Sequence, residues 1–123
     1  MRKGETRGIE TGRGAERVAD LLHRPENSAA RASARSVSYL AEQMSRWGYD
    51  AEQPIIVEAD GRTIIDGRHR ALAAQQAGIR AVPTLVCRSD WRRLLSEAGS
   101  WTRMVECIRR AAGIVDFVLG MAP

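Results

Sequence analysis

Thr63-Ile64-Ile65-Asp66-Gly67-Arg68-His69-Arg70-Ala71-Leu72-Ala73-Ala74 is the stretch that decides how this chain folds. The β-branched run Thr63, Ile64 and Ile65 predicts a short strand. Asp66-Gly67 is a turn pair, and a helix follows from about Arg68 to Ala77, ended by Gly78. A helix start exposes backbone N–H groups and the positive pole of the helix dipole. Crowding Arg68, His69 and Arg70 into that first turn makes it a cradle for phosphate or another polyanion. In that cradle Gly67 lets the backbone approach a ligand closely. Asp66 can cap the helix, hold a magnesium ion or accept a substrate proton. Arg70 can fork onto phosphate oxygens, or pair with Asp66 or Glu58. His69 can donate to a phosphate, serve in acid–base work or be a structural histidine. Arg68 stands at the mouth of the site.

The elements around this core follow from spacing. Residues 36–47 carry Val37, Leu40, Ala41, Met44 and Trp47 on one helical face, and Gly48 stops the helix. Residues 54–58 read as a strand opened by Pro54, Ala59-Asp60-Gly61 as a hairpin turn, and residues 62–65 as the return strand. Residues 81–86 predict a third strand, with Pro83 suggesting an edge or a bulge. Ser89 or Asp90 caps a helix through Ala98, and Gly99-Ser100 separates it from a second helix over residues 101–112. Upstream, residues 16–23 hold Val18, Leu21 and Leu22 in an element whose type periodicity does not settle. Arg24-Pro25-Glu26-Asn27-Ser28 is a turn by composition, and residues 1–14 are an aperiodic, charge-rich arm bearing Arg2, Arg7 and Arg13. The expected organisation is a flexible arm (1–14), a mixed α+β domain (15–88) and a helical C-terminal extension (89–123), with a small mixed sheet and packed helices.

The 123-residue chain is 44% hydrophobic but only 5% aromatic, so its core is aliphatic. Its net charge of +4 is carried almost wholly by arginine, Lys3 being the only lysine. Arginine suits bidentate binding of phosphate, and arginine-rich coding gives the same composition. The charge permits contact with DNA without establishing it. Cys87 and Cys107 have neither disulfide nor zinc spacing, which predicts reduced thiols and a cytoplasmic protein. No apolar run reaches membrane-spanning length. Arg92, Arg93, Arg103, Arg109 and Arg110 follow helical spacing, which solvated helix faces explain as well as nucleic acid does. Trp91 and Trp101 are read as packing residues. The apolar residues 114–119 can extend the last helix, pair as a strand or join two copies of the chain through the C-terminal helices.

Gln53-Pro54-Ile55-Ile56-Val57, Gly61, Ile65-Asp66-Gly67-Arg68-His69-Arg70-Ala71, Ala77-Gly78 and Val82-Pro83 together resemble the ParB/sulfiredoxin superfamily. The Trp47-Gly48 helix end and the stretch Leu21-Leu22-His23-Arg24-Pro25-Glu26-Asn27 agree with it. The resemblance covers roughly residues 16–87 and implies a nucleotide or phosphate at the strand–turn–helix junction. ParB-like partition proteins bind and hydrolyse CTP and clamp DNA; sulfiredoxins use ATP and a cysteine; related enzymes phosphorylate free serine; some members are described as nucleases.

The departures narrow this range. Sulfiredoxins place cysteine directly before His-Arg, where this chain has Arg68. Partition proteins read G-E-R-R, whereas this chain reads Gly67-Arg68-His69-Arg70, without the following Glu-Asn segment. The serine kinases read D-G-H-H-R, the nearest local match, and carry a catalytic glutamate in the early loop, where Glu26 stands. What the resemblance implies is a ParB-like nucleoside triphosphate (CTP or ATP) and Mg2+ at residues 67–70, with Arg24 and Asn27 as further contacts. Asp66 would be the metal carboxylate, and Glu26, Asp66 and His69 the candidate catalytic groups. A DNA-associated or mobile-element process is one reading, with nucleotide hydrolysis open. A free-serine-type kinase using ATP or ADP is the other, and a nuclease or a ligand-free scaffold rank behind.

Overall fold

The computed structural model describes residues 8–27 and 33–114. Its elements run β1 (Thr11–Arg17), α1 (Val18–Leu22), a 3-10 turn (Pro25–Asn27), α2 (Ala34–Trp47), β2 (Ile55–Val57), β3 (Ile64–Asp66), α3 (Arg68–Gln76), β4 (Ala81–Cys87), α4 (Trp91–Ala98) and α5 (Trp101–Ala111). The fold class is mixed α+β, with a four-stranded sheet of order β1-β4-β2-β3. β2 pairs antiparallel with β3 (Ile56 opposite Asp66, Val57 opposite Ile64) and parallel with β4 (Ile55 opposite Thr84, Val57 opposite Val86). A register shift between Ile56 and Val57 places one extra residue, Ile65, in β3; pairing resumes at Ile56 and Asp66, directly before Gly67.

The chain divides into two compact units, Arg13–Val86 and Met1–Gly12 with Cys87–Pro123. In the first, Ile55, Val57, Ile64 and Val82 join Val18, Leu21, Val37, Ala41, Met44, Ala71, Ala73 and Ala74 in one apolar core. Ile56 and Leu85, which alternation turns to the other face of the sheet, are buried as well. Small alanines on α3 let it lie close to its neighbours, and the aliphatic core agrees with the composition. In the second unit α4 and α5 are capped by Asp90 and Ser100, whose side chains accept from Arg92 N–H and Arg103 N–H. Trp91 and Trp101 meet edge to face at 5.7 Å, and the Arg92 guanidinium lies 4.4 Å from the centre of the Trp91 ring. Met104, Cys107, Ile108 and Ile114 are buried there.

Several expectations are corrected. The stretch from Thr11 is a strand rather than part of an aperiodic arm, and residues 16–23 divide between the end of β1 and α1. β1 is mostly exposed, so its sequence shows no apolar alternation. Trp47 does not share the buried face of α2; it is 79% exposed. Pro83 lies in an interior strand, not at an edge. The pairing of β4 with β2 begins at Thr84, one residue later, so Pro83 takes no part in that ladder. β2 starts after Pro54, and the return strand starts at Ile64 rather than Arg62. Both cysteines are free and buried. Arg2, Arg7, Ser28 and residues 115–119 lie outside the described residues.

Candidate functional site

The corner at Gly67 is set by geometry that only glycine meets. Its φ is 116°, in the left-handed region, and a Cβ there would stand 3.2 Å from Ile55 Cγ1 and 3.3 Å from Ile55 Cα. Gly67 therefore lies directly on the first residue of β2 and turns the chain from β3 into α3. It is the N-cap of α3 and, as glycine, offers no side-chain cap. The first helical hydrogen bond runs from Ala71 N–H to Gly67 O at 2.9 Å.

A second helix begins beside the first. Ser33 is the N-cap of α2, and its N–H donates to His69 Nε2 at 3.3 Å. The positive poles of α2 and α3 thus meet within the reach of one imidazole ring. Nε2 is the acceptor of this bond, so the ring bridges the starts of the two helices.

The two arginines of the turn differ. Arg68 folds back along β3 and donates to Ile64 O at 3.1 Å. Arg70 is half-buried and makes no ion pair or side-chain hydrogen bond among the described residues, so neither Asp66 nor Glu58 holds it. Its charge is felt at Tyr49, a residue that the sequence reading did not single out. Tyr49 follows the Gly48 C-cap of α2, and its hydroxyl donates to Gln53 O at 2.7 Å. Burial pushes the phenol pKa well above the usual range; Arg70 pulls it down, while Asp50 and Asp66 push it further up. Tyr49 therefore stays protonated and brings a neutral donor into the surroundings of Arg70 and Asp66.

The early loop divides by role. Asn27 is wholly buried; its Nδ2 donates to Leu21 O at 2.8 Å and Arg62 O at 2.7 Å, and its Oδ1 accepts from Ile64 N–H at 2.7 Å. Its amide is a bracket between α1 and β3, which corrects its expected place among the ligand contacts. Arg24 Nη1 donates to Asp60 Oδ2 and to Thr63 Oγ1, both at 2.9 Å, tying the loop to the β2–β3 turn. Burial favours the protonated form of Asp60, but hydrogen bonds from the Thr63 hydroxyl, Thr63 N–H and Arg62 N–H, with Arg24 alongside, bring its pKa down to about 2. Glu26 is exposed and lies 3.7 Å from Arg24. Asp66 ends β3 and is half-buried.

Among the described residues no three His, Cys, Asp or Glu side chains gather as a ligand set. Magnesium takes one or two carboxylates, with waters and substrate phosphates completing its shell. The single carboxylate of Asp66 fits an ion that arrives with a nucleotide and does not fit a protein cage.

This arrangement, a bulged strand pair feeding a glycine corner and a helix inside a small mixed sheet, defines a ParB-like fold. No family model and no curated protein matches the sequence. Among solved structures, a Pnob8-like ParB-N domain in its C2221 crystal form superposes with a TM-score of 0.54 at 14% identity, over 91% of this chain and 49% of that one. At this identity the likeness concerns the fold, and the chain spans about half the length of that neighbour. No helix among the described residues is long and apolar enough to cross a membrane.

Proposed function

We propose that this chain binds the phosphates of a nucleoside triphosphate at the turn formed by Gly67, Arg68, His69 and Arg70, and acts in a DNA-associated process. The observation that carries the reading is Arg70, a half-buried cation in the first turn of α3 with no ion pair among the described residues, in a turn whose His69 also meets the N-terminus of α2. A half-buried guanidinium at the positive pole of α3 is unfavourable unless an anion joins it. Backbone N–H groups at a glycine-led helix start supply the donors that a phosphate takes.

In this reading Arg70 forks onto the terminal phosphates, and Arg68 shields the mouth. Asp66 would be the carboxylate that holds a magnesium ion carried in by the nucleotide, which would neutralise phosphate charge there. Arg24 approaches through the guanidinium nitrogen not held by Asp60. The ParB-like fold and the net charge of +4 support the link to DNA. A nucleotide-driven change in conformation is the expected output.

Calorimetry with CTP, ATP, ADP and GTP in magnesium tests the proposal. Binding of CTP supports the partition-like reading. Binding of ATP or ADP with phosphoserine as product moves the assignment to a small-molecule kinase with Glu26 as its candidate base. No heat with any nucleotide ends both. Arg70→Ala is expected to weaken binding by about 1.5–3 kcal/mol, the loss of one charge-assisted contact.

A further inference from the structure

At the far end of α3 from Gly67, a groove of about 500 Å3 opens between the start of α1 (Arg17, Val18) and the turn before β4 (Gln75, Gly78, Ile79, Arg80). Two backbone devices build it. Val18 N–H donates to Arg80 O at 2.8 Å and fixes α1 against the residue before β4. Beyond α3, the N–H groups of Ala77, Gly78 and Ile79 donate to Ala73 O, Gln75 O and Ala74 O at 2.9, 3.1 and 2.9 Å. Gly78 turns with φ 78°, and a Cβ there would meet nothing within 4 Å, so this wall leaves open space.

The floor is apolar, from Val18 and Ile79, and both flanks are cationic. Arg17 and Arg80 are exposed, and neither forms an ion pair among the described residues. In contrast, Arg24, Arg46, Arg62 and Arg93 each have a carboxylate within 4 Å. The C-terminal pole of α3 works against an anion, but it amounts to about half a charge, and its carbonyls are already bonded. Two full guanidinium charges outweigh it.

The geometry points to a second binding site, distinct from the 67–70 turn. The groove takes a small organic anion, a phosphate monoester or carboxylate on a planar or apolar body. The oxyanion sits between Arg17 and Arg80, the body lies over Val18 and Ile79, and the Gln75 amide meets its polar edge. The volume falls within the roughly 300–1,000 Å3 of small-molecule sites. A nine-residue α3 sets the two sites about 13 Å apart, at 1.5 Å per residue.

Phenyl phosphate and benzoate are the probes, followed by backbone amide shifts of the full chain in solution. At least one is expected to give saturable shifts at residues 17–19 and 75–80; which one does so separates the phosphate source from the carboxylate source. Arg17→Ala with Arg80→Ala should weaken the effect about tenfold or more, while Arg70→Ala leaves it within about twofold. The Arg70→Ala arm separates this site from the proposed nucleotide site, so either can fail alone. If the double variant loses its dispersed spectrum, Arg17→Gln with Arg80→Gln takes its place. Absence of groove shifts with both probes overturns the proposal, as does binding that depends on Arg70 and not on Arg17 and Arg80. A single-stranded oligonucleotide that shifts the groove when neither probe does also overturns it, in favour of a nucleic-acid backbone.

Discussion

Adding one methyl group at Gly67 tests the corner on which the site depends. Gly67→Ala places a Cβ 3.2 Å from Ile55 on a backbone with φ 116°. The left-handed conformation costs about 1–2 kcal/mol, and the close contact adds to it. An expected loss of about 2 kcal/mol, read from urea unfolding, checks this. Asn27→Ala should cost more, about 3 kcal/mol, since it strands Ile64 N–H, Leu21 O and Arg62 O. An unchanged urea midpoint would show that Asn27 is not a bracket. The two residues were unequally legible. The Asp-Gly pair marks Gly67 through local backbone chemistry. The three backbone partners of Asn27 lie up to 37 positions away, and no local pattern announces them. Tyr49 was missed for the same reason, because its neighbours Arg70 and Asp66 reach it only through the fold.

The elements that carry their own punctuation read correctly from sequence. α2 ends at Gly48 and α4 at Gly99, and Asp90, one of the two caps offered, caps α4; Gly99-Ser100 marked the break, while the cap that Ser100 gives α5 was not singled out. The β2–β3 hairpin was legible through Asp60-Gly61, and its turn carries a pH dependence. Asp60 has a folded pKa of about 2, below the unfolded value of 3.8, so its contribution is complete above that value and lost as pH falls toward 2. The side chain is 41% exposed, and screening keeps the effect under about 1 kcal/mol. Urea melts at pH 5 and pH 2 should show this increment in the parent and not in Asp60→Asn. β1 was missed because an exposed strand with Gly12 and Gly14 lacks apolar alternation. Pro83 was read as an edge or a bulge because sequence does not reveal which neighbours a strand will have.

For the molecule as a whole, the nucleotide proposal has a thermodynamic consequence. A ligand that binds only the folded chain adds about 2.7 kcal/mol at a hundredfold excess over Kd. A chain of this size should gain several degrees in Tm with the matching nucleotide, and Arg70→Ala should lose most of that gain at the same concentration. If DNA is a partner, its affinity should fall with salt by a log–log slope of about 0.9 per phosphate contacted. A flat response would remove DNA from the account while leaving the nucleotide site untouched.

The sequence by itself determined the hairpin, the glycine corner, the arginine-armed start of α3 and the α+β class, because each depends on backbone preferences spanning a few residues. Only the tertiary structure decided that the α2 N-terminus joins that of α3 through His69, that Asn27 serves the core, that β4 is interior and that Arg70 lacks an ion pair among the described residues. Those outcomes depend on contacts between distant parts of the chain, and packing alone selects which of the many possible partners meet.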